Sequence, residues 1–299
     1  MDGYVMSRGR DRDRDYGFLG AAPPVAWWRS YSRVADFEYP TLLVESDARG
    51  WRAYFSGIRS ERTDAVGTPL RFTLVLSGGP ADEAAPRVAR FATQWLEDIA
   101  ARRPAGAVAG CLDRHFPADD VDRLLELRDA AAVDETRRRL EEALAEPAGP
   151  AGSERTGDGD PGHGTPRSGP PSWINTVRDG LSRECFAVRV GELLSGTRGR
   201  ALLLNLATEA GDVPDAGPDG RVAALVVHAK QDFGPGPVAI PGKVRGLVEA
   251  GPVRGTPLGF WRSRSTGQKA LIALGAIVLA AAVGAAGHAV GTWNLWDLF

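Results

Sequence analysis

Phe37-Glu38-Tyr39-Pro40-Thr41-Leu42-Leu43-Val44-Glu45, then Asp47-Ala48-Arg49-Gly50, then Trp51 through Ile58, is the stretch that decides the fold class. Two runs rich in β-branched and aromatic residues flank a turn signature, which predicts a β-hairpin. Leu70-Arg71-Phe72-Thr73-Leu74-Val75-Leu76 alternates and then fills in as a third strand, closed by Ser77-Gly78-Gly79-Pro80. The three strands predict an antiparallel sheet.

Downstream the period changes. Val88, Phe91, Ala92, Trp95, Leu96 and Ile99 recur three and four apart, the spacing of an amphipathic helix ending before Pro104. A shorter helix is expected over residues 107–115, and Pro117-Ala118-Asp119-Asp120 opens another helical stretch that runs on through Leu140 and Leu144. Strands followed by helices give an α+β domain over residues 25–146. Upstream, residues 1–24 alternate Arg8, Arg10, Asp11, Arg12, Asp13, Arg14 and Asp15 without a buried face, and read as a disordered charged arm.

Residues 147–172 are dominated by Gly, Pro, Ser, Thr and Asp and read as a flexible linker. Beyond it, a short helix is expected over 173–181 and strands over 185–190, 200–207 and 222–228. That gives a second, small, mostly-β domain over 173–252. Residues 253–269 then carry Arg254, Arg262, Arg264 and Lys269 as a basic juxtamembrane segment.

From Ala270 to Val290 no side chain is charged, and at about 1.5 Å per residue the run is long enough to cross roughly 30 Å of hydrocarbon. Residues 270–291 are therefore expected to form one C-terminal transmembrane helix, with Trp293 and Trp296 as interface anchors in a short external tail over 292–299. The excess of basic residues before the span places the N-terminal body in the cytoplasm by the positive-inside rule. Ala276, Ala280 and Gly284, and the pair Gly287 and Gly291, lie four apart and offer a small-residue ridge for homo-association within the bilayer.

The composition excludes some classes. A net charge of −2 gives no footprint for nucleic acid, and the two cysteines, Cys111 and Cys185, supply no disulfide framework. Only three lysines stand among 36 basic residues, which points to a GC-rich bacterial coding bias.

Chemistry is sparse. Cys111, Asp113 and His115 bring thiol and imidazole close in sequence, but neighbours on one element seldom face each other as a catalytic pair, and a metal would need ligands from elsewhere. Gly242-Lys243 lacks the preceding glycine and following hydroxyl of a phosphate loop. No catalytic group, metal or cofactor is expected. Arg59, Glu61, Arg62, Asp64 and Arg71 gather at the end of an aromatic strand as a candidate polar binding surface, set against the plainer reading of a charged strand edge.

The expectation is a membrane-anchored cytoplasmic binding, sensing or adaptor protein with the bilayer and a cytoplasmic protein as partners. The alternatives are a membrane effector that self-associates through its span, or an enzyme with an unfamiliar site.

Overall fold

The computed structural model describes residues 1–10, 15–103, 106–127, 129–146, 169–214 and 221–240. The fold is α+β: one mixed sheet of nine strands with five α-helices among the described residues. The hairpin forms as β3 (Thr41–Asp47) and β4 (Gly50–Thr63), paired from Thr41 opposite Ser56 to Asp47 opposite Gly50. Gly50 turns the corner at φ +140°, where an added Cβ would lie 2.2 Å from the Gly78 carbonyl oxygen. The third strand, β5 (Pro69–Gly78), lies antiparallel to β4.

On the other side of β5 stands β1 (Asp2–Ser7), followed at the edge by β2 (Gly17–Phe18). The expectation of a disordered arm over 1–24 therefore fails for these residues. Val5 and Met6 are buried, and the arginines that made the segment look solvated find partners: Arg8 reaches Asp64 at 3.2 Å and Arg10 reaches Asp122 at 3.1 Å. Charges that find no partner locally are paired by tertiary structure.

Helices α1 (Ala85–Ala100), α2 (Ala107–His115), α3 (Ala118–Glu126) and α4 (Ala130–Ala145) follow. Asp129 caps α4 by accepting the Ala132 N–H at 2.8 Å. The buried stripe of α1, Val88, Phe91, Ala92, Trp95 and Leu96, joins alternate strand residues such as Leu42, Val44, Phe55 and Leu74 in one core. The opposite residues of the hairpin meet a different cover. A 3-10 turn over Trp27–Tyr31 lays Trp28 flat on Tyr54 with centroids 5.0 Å apart, while Phe37 meets the same ring edge-on at 5.3 Å. Each such aromatic pair adds on the order of 1 kcal/mol beyond the area it buries.

The second half continues the same sheet. β6 (Ser172–Thr176), β7 (Gly199–Leu204) and β8 (Val222–Val226) are mutually parallel, with β8 in the middle, and β9 (Val238–Ala239) closes the edge antiparallel to β6. Between β6 and β7 runs α5 (Gly180–Leu194), the crossover that parallel strands require. Where a helix was expected over 173–181 there is a strand and a turn, and where a strand was expected over 185–190 there is a helix. Asp179 accepts the Ser182 N–H at 2.8 Å and starts α5, whose buried residues Ser182, Cys185, Phe186, Arg189, Val190 and Leu193 follow helical spacing. β7 also pairs antiparallel with β3, so residues 173–240 do not build a separate mostly-β domain. The strand order is β2-β1-β5-β4-β3-β7-β8-β6-β9.

No helix among the described residues is long and apolar enough to cross a membrane. The span expected over 270–291, with Ala276, Ala280, Gly284, Gly287 and Gly291, lies outside the described residues. So do residues 147–168 of the expected linker, residues 241–252, the whole basic segment over 253–269, and Trp293 and Trp296.

Candidate functional site

In open sheets with parallel strands, the carboxyl ends of those strands leave a crevice where successive connections diverge. Here β6 and β8 end at Val177-Arg178 and Val227-His228, and both ends open into a cleft of about 400 Å³. That volume lies within the range of small-molecule sites. Its far wall comes from α1 and the start of α2, and its rim from Glu38, Tyr39 and Pro40.

Two glycines shape it. Gly57 sits at φ +73° in the irregularity of β4 between Phe55 and Ile58, and a Cβ there would lie 2.3 Å from the Tyr39 carbonyl carbon. Gly106 lets the chain pass the Asp98 carboxylate, from which a Cβ would be 2.2 Å away. Asp98 is buried and accepts the Val108 N–H at 3.0 Å at the first turn of α2, with Gln94 donating at 3.2 Å and Arg103 forming an ion pair at 3.6 Å. Its charge is thereby committed to the helix start.

The cleft is basic. Arg59, Arg71, Arg102, Arg103 and Arg178 line it together with His228, against the carboxylates of Glu38 and Asp98. Arg59 and Arg71 are directly opposed in the β4–β5 register, a like-charge pairing that costs stability. Arg71 hydrogen-bonds Tyr16. Arg59, Arg102 and Arg178 form no side-chain ion pair among the described residues. Arg102 holds φ +52°, a left-handed conformation unusual for a side chain of this kind, at the end of α1. In the same wall, the buried indole N–H of Trp95 has no acceptor among the described residues. The arrangement supplies donors and positive charge from five separate chain segments.

The surface expected from Arg59, Glu61, Arg62, Asp64 and Arg71 is divided by the structure. Arg59 and Arg71 line the cleft, whereas Arg62 turns away to Asp113 at 3.2 Å and lies over the Phe72 ring at 4.7 Å. Asp64 is buried in its own loop, accepting the N–H groups of Thr68 and Val66. The hydrogen bond from Thr68 is the largest cause holding its carboxyl below the usual carboxylate range. Glu61 is exposed, and its backbone N–H donates to Asp113 at 2.7 Å. Asp113 is thus separated from Cys111 and His115, which instead meet Glu146. Burial raises the Cys111 thiol to about 11, with the Glu146 charge acting in the same direction.

Sequence reasoning missed Arg102, Arg103, Arg178 and His228. They stand at the ends of three elements far apart in sequence, Arg102 and Arg103 after α1, Arg178 after β6 and His228 after β8, so no local pattern joins the three groups; the topology alone does.

A second crevice, of about 430 Å³, lies at the opposite end of the hairpin around Glu45. Its central carboxylate is satisfied internally: Glu45 is bound by Tyr31, Arg52 and Arg200, and Arg52 also lies over Trp27 at 4.6 Å. The burial of Tyr31 pushes its phenol well above its ordinary value, and the Glu45 charge adds to this.

No protein-family model matches the chain, and neither a curated protein nor a solved structure is significantly similar to it.

Proposed function

We propose that the chain is a membrane-anchored binding module whose cytoplasmic body senses an anionic small molecule in the basic cleft, with phosphate as the group recognised. The observation that carries this reading is the opposed pair Arg59 and Arg71, held side by side at the mouth of a 400 Å³ cleft. A guanidinium fork matches phosphate oxygens two at a time, and a bound dianion removes the repulsion between the two arginines. Tyr39, 55% exposed at the rim, offers a ring face to a planar substituent of the ligand. The anchor rests on the apolar run over 270–291, and ligand occupancy at the rim is the signal a cytoplasmic protein partner would read.

The test has two arms. The full chain is expected in the membrane fraction, and a form ending after Arg264 in the soluble one. Calorimetric titration of the full chain in detergent with inorganic pyrophosphate is expected to give one saturable, salt-sensitive site, weakened at least tenfold in an Arg59→Gln/Arg178→Gln variant. Pyrophosphate binding that is absent, or equal in the variant, would remove the cleft from the reading. A full chain that stays soluble would remove the anchor.

A further inference from the structure

We propose that Cys111, His115 and Glu146 form a binding site for a divalent transition metal, zinc being the one their donor set suits best. The site is distinct from the basic cleft and independent of what that cleft binds. Cys111 and His115 are four apart on α2 and so project from one side of it; Glu146 is the C-cap residue of α4, which packs against α2.

The donor atoms are already gathered. His115 Nε2 lies 2.9 Å and Cys111 Sγ 3.8 Å from Glu146 Oε2, and all three lie within 4.8 Å of one another. Tetrahedral zinc, with bonds of about 2.0 to 2.3 Å, requires donors roughly 3.3 to 3.8 Å apart. The His–Glu separation must open by a few tenths of an ångström and the remaining pair must close, movements within the range of side-chain torsions. A mixed sulfur, nitrogen and oxygen set favours zinc over the hard cations magnesium and calcium.

The surrounding groups fit the same assignment. Arg114 pairs with Glu146 Oε1, leaving Oε2 toward the thiol and imidazole. Glu142 Oε2 stands 3.8 Å from His115 Nδ1, too far for a hydrogen bond but within a side-chain torsion of the ring's other N–H, the contact by which a carboxylate orients a ligating imidazole. The side chains of His115 and Glu146 are 21% and 33% exposed, so a metal has an entry path and a fourth position open to water. Without metal, the thiol donates to the Ala143 carbonyl at 3.3 Å. On binding, the S–H proton leaves to solvent as the sulfur–metal bond forms, with no change of oxidation state.

Cobalt(II) is the probe. Titration of the untagged full chain is expected to give one ion per chain, with the near-ultraviolet charge-transfer band of a thiolate ligand and the visible intensity of tetrahedral cobalt. Cys111→Ser should abolish the thiolate band while Cys185→Ser leaves it. His115→Gln, a change at a partly exposed position that should preserve folding, should weaken binding at least tenfold. A titration without the thiolate band, a band retained in Cys111→Ser, or an unchanged affinity in His115→Gln would overturn the assignment.

Discussion

Arg59 shows how one residue separates a role in binding from a role in stability. It faces Arg71 directly across β4 and β5 and has no ion-pair partner among the described residues. A structural arginine would lower stability when removed; this one sits against a like charge. Opposed like charges in a sheet cost about 0.2 to 1 kcal/mol, reduced here because Arg59 is exposed and salt screens it. Arg59→Gln should therefore leave the chain as stable as the parent or more stable, by about 0.5 kcal/mol at low salt, while its pyrophosphate affinity falls. Thermal melts at low and high salt check this. A clear loss of melting temperature would make Arg59 a stabilising residue and take the main support from the anion reading.

At the scale of elements, α5 is the piece that organises the cleft side of the parallel strands, and Asp179 is the residue that starts it. Its carboxylate accepts the Ser182 N–H and, at 3.1 Å, the Gly236 N–H, so one side chain caps the helix and ties down the loop before β9. Burial alone would raise this carboxyl, but the hydrogen bonds from Ser182 and Gly236 outweigh it and hold it below the usual range. A folded-state value depressed below an unfolded one of about 3.9 adds stability that is present above that pH and is lost as pH falls through the folded value. Asp179→Ala should thus cost about 1 kcal/mol at neutral pH. The gap to the parent should narrow as the pH falls below about 4, measured by circular dichroism melts. A gap independent of pH would deny the cap its charge.

The same helix marks where the sequence stops being legible. Helix α1 declares itself because it has one buried and one wet face and so prints its own period; strands β3, β4 and β5 are covered on both faces and declare themselves instead as runs of β-branched and aromatic residues bounded by turn signals. In α5 the apolar stripe is interrupted by Arg189, which is 2% exposed and donates to the Pro171 carbonyl at 3.4 Å. With an arginine on the buried side, Phe186-Ala187-Val188-Arg189-Val190 reads locally at strand period. β1 was hidden for a related reason: its six residues stand directly before Arg8 and Arg10, whose partners Asp64 and Asp122 are 56 and 112 residues away. Of the candidate site, only Arg59 and Arg71 were visible, since they belong to a hairpin; the remaining cleft residues are joined by topology.

For the molecule as a whole, the decisive pairing is β3 with β7. Leu42 to Ser46 hydrogen-bond on one side to β4 and on the other to β7, and α5 packs against α1. Two domains joined by a linker would melt separately; a sheet shared by both halves has no such seam. Unfolding β7 would expose the apolar edge of β3 and uncover Leu42 and Val44, so the two halves must lose order together. Guanidinium unfolding should give one transition, with tryptophan fluorescence and far-ultraviolet circular dichroism coincident. Leu203 is fully buried in β7 opposite Leu42, and Leu203→Ala should destabilise by about 2 to 5 kcal/mol through the cavity it leaves. That loss should move the whole transition, including the fluorescence of Trp27, Trp28, Trp51 and Trp95, none of which belongs to the second half. If the variant instead split the curve, leaving the first-half tryptophans unfolding at the parent's midpoint, the shared sheet would not be the cooperative unit.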